Sequence, residues 1–371
     1  MKLHPDEVDI DETMVARLVA RQMPQLQGLP IREVRSTGTV NAIYRIGDAV
    51  YARFPRVHTY VESLEREWHW LPRLAPHLPL RVPRPMHLGR PDAGYPFVWA
   101  VFDWIEGEPY AERDSGVAGA VAGAVAGAVA GKEAGVDDEQ DGAVKPQNGG
   151  VDPRVGGPDE RDGAVKPQNG GVDPRGGGPD ARDGAVDGEG TGVVDEREAA
   201  RSLARFVSAL RGIPAADGPP AGRPPLRDLD AGLRPTLRSA PHDVNVAAAL
   251  TVWEDALQAP AWSGAPVWIH ADLLRPNLLV RAGRLESVLD FGSAGVGDPA
   301  TDVIAAWAVF GPEGRDEYRR FLDVDDDTWR RARGIALQQA AAIIPYYRDS
   351  NPAFVALAKR TVDQVIDDFA S

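Results

Sequence analysis

Hydrophobic and polar positions follow different periods in successive stretches of this chain, and each period predicts a different kind of element. Met14 to Met23 has helical spacing. From Ile31 to Phe54 the pattern alternates with period two, broken by turn-formers at Ser36-Thr37-Gly38-Thr39 and Gly47-Asp48, which predicts antiparallel strands. The period then changes to that of a helix: Val61, Leu64, Trp68 and Leu71 share one side, and Pro72 is expected to end or kink that helix near its last turn. A strand from Phe97 to Phe102 leads into the turn-prone Asp103-Trp104-Ile105-Glu106-Gly107. Further along, Glu198 to Arg211 is helical, with Ala200, Leu203, Phe206, Val207 and Leu210 on one face. Val267 to Ile269, Leu278 to Val280 and Leu285 to Leu289 read as short strands, the last two joined at Ala282-Gly283, and the chain from Pro299 is mostly helical. The expected fold class is α+β, with a small sheet-rich N-terminal lobe and a larger helical C-terminal lobe joined at 102–107.

Between the two lobes the pattern disappears. Residues 111 to 202 contain no Leu, Ile, Met, Phe, Tyr or Trp, so this stretch lacks the apolar surface that would offset its ordering entropy. It also repeats. VAGA recurs from Val117 to Gly131, and DGAVKPQNGGVDPR begins at Asp141 and again at Asp162, with DGAV returning at Asp183. A stacked repeat would carry leucines or aromatics, and these units have none. The expectation is therefore a disordered insertion over 111–195, dividing a lobe at 1–105 from a second lobe at 196–371.

Composition changes the picture mainly by exclusion. The 371 residues include no cysteine, which rules out disulfides and thiolate metal sites. No run of about 20 apolar residues is present to span a bilayer, and the opening MKLHPDEVDIDETMVARL lacks the apolar core of a signal peptide, so a cytoplasmic protein with no membrane partner is expected. The net charge of -14 argues against nucleic acid as a partner. Much of that charge belongs to the insertion, where residues 112–195 hold 17 acidic and 8 basic side chains. Whole-chain charge therefore says little about a substrate, and no protein partner is implied.

The candidate chemistry lies between Ile269 and Asp302, in IHADLLRPNLLVRAGRLESVLDFGSAGVGDPATD. Here polar residues interrupt apolar strands at their ends, where side chains converge on clefts. Asp272 and Asn277 flank a short loop, and Asp290 follows a strand just before Phe291-Gly292. Two carboxylates and an amide oxygen suit a hard, oxygen-liganded cation, of which magnesium with a nucleotide is the common case. Further on, Asp298-Pro299 reads as a helix cap and first helical position, and Asp302 as a first-turn residue favoured by the helix dipole. On the 61–74 helix Glu67 falls within the apolar face, where an unpaired carboxylate would be costly, so a cationic partner is expected for it.

The spacing HxDxxxxN followed by DFG resembles the catalytic and metal-binding loops of the aminoglycoside phosphotransferases, which share the protein-kinase arrangement. The resemblance implies a bilobal kinase-like fold and an ATP-dependent phosphotransferase, with GTP as the alternative nucleotide. It casts Asp272 as the group acting on the acceptor hydroxyl, His270 as the brace of its loop, and Asn277 and Asp290 as magnesium ligands. Ser36, Thr37 and Gly38 would approach the phosphates, and Arg53, paired with Glu67, would grip them in place of the usual lysine. Main-chain groups of Asp103 and Ile105 would hold adenine at the hinge. Ala271 stands where glycine is usual. Trp104, Trp262, Trp268 and Trp307 are read as core or lobe-interface residues.

The implied acceptor is a small-molecule hydroxyl, of an aminoglycoside-type antibiotic or alternatively of a metabolite such as an amino alcohol or sugar derivative. A nucleotide-binding pseudoenzyme is disfavoured by the complete set Asp272, Asn277 and Asp290. Acceptor contacts are expected from about Pro219 to Trp262 and beyond Phe310, where Asp228, Asp230, Asp255 and the run from Asp323 to Asp327 face either solvent or a cationic substrate. Loop-closure entropy grows by only roughly 0.6 kcal/mol per doubling of length. Replacing 113–194 by a few Gly and Ser residues should therefore leave the melting temperature and ATP turnover nearly unchanged, whereas a large loss of Tm would mean that the repeats pack on the core.

Overall fold

The period-two stretch forms the first sheet, and its two faces bury against different partners. The structure, a computed structural model, describes residues 6–34, 41–92, 94–111, 194–221 and 224–371. All of these belong to one compact unit. The insertion expected at 111–195 lies outside the described residues except at its two ends.

In chain order, α1 (Glu12–Gln22) precedes β1 (Ile31–Glu33), β2 (Asn41–Ile46) and β3 (Val50–Pro55), followed by α2 (Val61–Leu74), β4 (Pro85–Gly89) and β5 (Trp99–Asp103). The strands make one antiparallel sheet in the order β1-β2-β3-β5-β4. Because successive side chains alternate across a sheet, Ala42, Tyr44, Ala52 and Phe54 face one way and pack with Val15, Leu18 and Val19 of α1. Ile43, Tyr51 and Phe102 face the other way, in the cluster that includes Leu64, Leu71 and Leu74 of α2. Arg53 shares the alternation of Tyr51, and so points at α2. Pro72 sits in the last turn of that helix, which ends two residues later in a single 3-10 turn.

The chain then adds β6 (Glu108–Pro109), α3 (Glu196–Arg211), α4 (Leu226–Arg238), α5 (Val246–Gln258), β7 (Val267–Ile269), β8 (Leu278–Arg281), β9 (Arg284–Val288) and β10 (Gly295–Gly297). The sequence pattern did not show β6, which pairs with β8 in a β6-β8-β9 sheet. The β8–β9 turn places Ala282 and Gly283 at φ 50° and 74°, the left-handed conformations that a tight two-residue hairpin turn requires. β10 pairs with β7 and so returns the chain to the strand that precedes His270.

The remaining elements are helical: α6 (Ala300–Val303), α7 (Ala305–Ala308), α8 (Pro312–Leu322), α9 (Asp326–Tyr347) and α10 (Pro352–Ala370). α9 is central and packs against α4, α5, α6 and α10. Its buried face includes Ala332, Ala336, Ala340 and Ile344, and the polar side chains of Thr328, Arg331 and Gln339 are buried as well. The linker before β4 joins the lobes: Arg81 exchanges main-chain hydrogen bonds with Glu286 and Val288 at β9 (3.0 and 2.9 Å). None of the described helices is long and apolar enough to cross a membrane.

The start of α3 carries a specific cap. Asp195 Oδ1 accepts from the N–H groups of Arg197 (3.0 Å) and Glu198 (3.2 Å), satisfying two donors that the helix itself cannot. Replacing such a cap by alanine costs about 1 kcal/mol. Asp195→Ala should lower the Tm by roughly 2–4 °C in a thermal melt; an unchanged Tm would show that α3 is held by packing alone.

Candidate active site

Three buried charges tie the two lobes together. The Arg53 guanidinium bonds the Glu67 carboxylate through Nη1 and reaches Asp290 Oδ1 through Nη2 at 3.4 Å. Glu67 Oε1 in turn accepts the Phe291 N–H (3.2 Å), so β3, α2 and the segment after β9 meet at one point. All three side chains are within 1 % of complete burial. Burial pushes the Glu67 carboxyl up to about 7, with the Arg53 charge pulling against it. Desolvation opposes the charge on Arg53, but Glu67 and Asp290 outweigh it and hold the guanidinium ionised.

The loop between β7 and β8 is shaped by a carboxylate from α6. Asp302 Oδ2 accepts the His270 N–H at 2.9 Å and Oδ1 accepts the Ala271 N–H at 2.8 Å. Two consecutive amides thus converge on one carboxylate, and Ala271 itself is left-handed, at φ 65°. That conformation costs a non-glycine residue about 1–2 kcal/mol and explains why glycine is usual at this position. Asp302 does lie in the first turn of α6, and its completely buried carboxylate also clamps the loop.

His270 braces the loop from its other side. Its Nε2 lies 3.0 Å from the Leu289 carbonyl, and its Nδ1 accepts the Asp272 N–H at 3.3 Å. This pairing requires the neutral ring with its proton on Nε2. Burial lowers its pKa to about 4, with the bond to Leu289 opposing. The Phe291 ring packs edge-on against the imidazole, with centroids 4.6 Å apart.

Asp272 is buried and each of its oxygens accepts an amide N–H. Oδ2 takes Nδ2 of Asn277 at 2.9 Å, and Oδ1 takes Nε2 of Gln339 at 2.8 Å. Asn277 Nδ2 also donates to the Asp272 carbonyl (2.8 Å), which leaves the buried Asn277 Oδ1 without a hydrogen-bond partner. An orphaned oxygen beside a carboxylate fits a hard cation. Asp290 adopts φ 63°, and the Gly292 N–H approaches its Oδ1 at 3.4 Å.

The remaining expected residues are less uniform. Ser36, Thr37 and Gly38 lie outside the described residues. The strand register nevertheless brings Asn41, at the exit of that loop, opposite Pro55, two positions from Arg53. The Asp103 N–H is already donated to the Arg84 carbonyl (3.1 Å), so of its main chain only the carbonyl remains for a ligand. Ile105 is buried, and its N–H makes no main-chain hydrogen bond among the described residues. Asp298 caps as expected, accepting the Ala300 N–H at 2.9 Å, but Pro299 occupies the cap position and the carboxylate also pairs with Arg331 (2.8 Å).

Two readings of side chains change. Trp104, Trp268 and Trp307 are buried, whereas Trp262 is 40 % exposed and lines a cavity of about 470 Å³ with Leu226, Ile269, Val296, Asp298 and Arg331. Gln339 was absent from the expected site. The signal for it was the one that revealed Glu67, a polar residue set in an apolar helical face.

The profile of the phosphotransferase enzyme family (APH) matches residues 32–146 and 180–335. The chain belongs to that family. Membership makes it a small-molecule kinase, and the fold agrees. The GDP complex of wild-type aminoglycoside 2'-phosphotransferase-IIIa superposes with a TM-score of 0.60 at 13% identity, over 97% of this chain and 100% of that one. The GDP and kanamycin complex of APH(2")-IIIa gives 0.60 at 14% identity, over 97% and 99%. A macrolide 2'-phosphotransferase type I gives 0.52 at 17%, over 96% and 98%. No curated protein matches the chain by sequence.

The buried neutral imidazole has a pH signature. Its folded pKa lies below its unfolded value of 6.5, so the stability it contributes is complete above pH 6.5 and is lost as the pH falls toward about 4. The loss reaches up to about 1.4 kcal/mol per pH unit. His270→Gln keeps a donor for Leu289 without a titrating group, and its Tm should fall less steeply than the parent's across that window. Equal slopes would place the imidazole in contact with water.

Proposed function

We propose that this protein transfers the γ-phosphate of ATP, or of GTP, to a hydroxyl group of a small molecule. The observation that carries this reading is the buried Asp272 carboxylate, oriented at both oxygens and set beside the unpartnered Asn277 Oδ1. The acceptor oxygen attacks the γ-phosphorus, a new O–P bond forms as the bond to the β–γ bridging oxygen breaks, ADP leaves with the bonding electrons, and Asp272 takes the hydroxyl proton. Asn277 Oδ1 and the Asp290 carboxylate would hold magnesium. Among the described residues no cluster of three or more His, Asp or Glu side chains converges to hold a metal, so phosphate oxygens and water would complete its shell. Such an ion, when bound, supplies neutralisation of phosphate charge.

The protein's own groups do the positioning. Arg53, fixed by Glu67, presents a permanent cation to the phosphates, and the Ser36-Thr37-Gly38 amides cover them. The Asp103 carbonyl and the Ile105 N–H would pair with the base. His270 and Asp302 act through the loop, holding Asp272 where an acceptor hydroxyl arrives.

For the acceptor, family likeness points first to an aminoglycoside-type antibiotic. One observation favours the second reading, a metabolite without several positive charges. Several of the carboxylates that could meet a polycation are engaged, whereas Asp228 is exposed: Asp230 pairs with Trp253 Nε1 (2.6 Å) and Arg234 (2.8 Å), Asp255 with Arg330 (2.9 Å), Asp325 caps α9, and Asp326 pairs with Arg319.

Two substitutions separate the roles. Asp272→Ala should remove phosphoryl transfer while nucleotide affinity stays within a few-fold, because the residue acts on the acceptor; weakened ATP binding with normal turnover would overturn the assignment. Asp290→Ala should abolish the magnesium dependence of ATP binding, read by titrating magnesium at fixed nucleotide. Identical titrations in variant and parent would exclude Asp290 as a ligand.

A further inference from the structure

The side chain that completes the hold on Asp272 borders a space with a definite chemical character. Gln339 is 3 % exposed; its Nε2 donates to Asp272 Oδ1, and its buried Oε1 has no hydrogen-bond partner. An unsatisfied buried acceptor costs about 1–3 kcal/mol, which a ligand bearing a donor would recover. Gln339 also lines a void of about 20 Å³, room for about one water. The walls of that void are Leu274, Ala336, Ala340, Ile343, Phe354 and Leu357, and no Asp or Glu borders it.

The charged residue in this wall is a cation. Arg275 lines the void, with its guanidinium donating to the Val309 carbonyl at 2.7 Å. Lys359, on the helix that supplies Phe354 and Leu357, joins Arg348 in gripping Asp243, at 3.1 and 2.8 Å. A polycation entering the void would meet the Arg275 guanidinium and no carboxylate in its lining. Like charges in a partly dehydrated cleft repel strongly.

We propose that Gln339 positions Asp272 and reads the acceptor, whose body against α9 and α10 is uncharged and apolar. Nε2 fixes the carboxylate through Oδ1. Oε1 accepts a hydrogen bond from a hydroxyl or N–H next to the reacting hydroxyl, and the apolar part of the acceptor displaces Phe354 and Leu357 to widen the void. This inference rests on the phosphotransferase reading above and specifies its substrate class.

The test uses the full chain with magnesium and ATP. ADP release and phosphorus NMR would be followed for neutral probes (n-octyl β-D-glucoside, phenyl β-D-glucoside and trans-1,2-cyclohexanediol) and for kanamycin and gentamicin. At least one neutral probe should be phosphorylated with kcat/KM about tenfold or more above either aminoglycoside. Gln339→Leu should lower kcat on that probe by about tenfold or more and raise its KM, with the KM for ATP unchanged, since one oriented hydrogen bond to a charged group has that scale. Gln339→Glu keeps the accepting oxygen and adds the charge that the wall lacks, and it should shift preference toward kanamycin. Preference of the parent for an aminoglycoside would overturn the inference, as would ADP release to water with no neutral probe phosphorylated. Unchanged kcat and KM in Gln339→Leu would do so for the positioning role, and should that variant not fold, an unmoved preference in Gln339→Glu decides the matter. Absence of any nucleotide-induced Tm shift and of any ADP release would instead remove the phosphotransferase reading itself.

Discussion

A buried guanidinium has to be paired, and in this protein satisfying that demand organises the meeting of β3, α2 and the segment after β9. Arg53 stands in a fully buried strand, on the sheet face that looks at α2, and takes Glu67 from that helix and Asp290 from beyond β9. Removing one partner of a buried pair costs on the order of 3–5 kcal/mol, because the remaining charge stays desolvated. The arrangement therefore fixes how close α2 can lie to the sheet and where Asp290 can lie. The same contact that stabilises the lobe boundary also holds near one another Arg53 and Asp290, the groups proposed above for phosphate and magnesium.

The catalytic loop depends on a second buried carboxylate. Ala271 and Asp290 both occupy left-handed backbone, a conformation that residues with a side chain avoid, and both lie at ends of short strands. At Ala271 the strain is held by Asp302, whose two oxygens each take a main-chain N–H. His270 then connects this loop to the end of β9 through Leu289, so Asp272 and Asp290 are fixed by one hydrogen-bonded chain. A neutral imidazole suits this role because its two nitrogens can donate in one direction and accept from the other.

The void beside Gln339 differs in chemistry from the cluster around Arg53. Ion pairs join Arg53, Glu67 and Asp290, whereas beyond Asp272 the void is lined mainly by aliphatic and aromatic side chains, with Gln339, Arg275 and Thr361 as its polar features. The contrast has a physical basis. A phosphate site needs permanent charge and accepts the cost of burying it, while a site for an uncharged body gains from apolar contact.

Much of the architecture was legible in the chain because it is written in short-range periodicity. The helical spacing of α2 placed Glu67 on its apolar side, the cost of an unpaired buried charge demanded a partner for it, and the family resemblance supplied Arg53 as that partner. Asp272, Asn277 and Asp290 were legible through spacing, since loops between short strands keep sequence neighbours together in space. What the sequence by itself could not decide was which of two sufficient roles a residue plays when its partner is distant along the chain. Asp302 could serve a helix start equally well until the fold brought it to the amides of His270 and Ala271, and Trp262 was as suited to a core as to a cavity rim. Gln339 reaches Asp272 only because α9 packs beneath the catalytic loop, a contact across 67 residues of chain. Such contacts are set by how helices pack as whole bodies, and local pattern determines each helix's buried face without determining which polar group it will meet there.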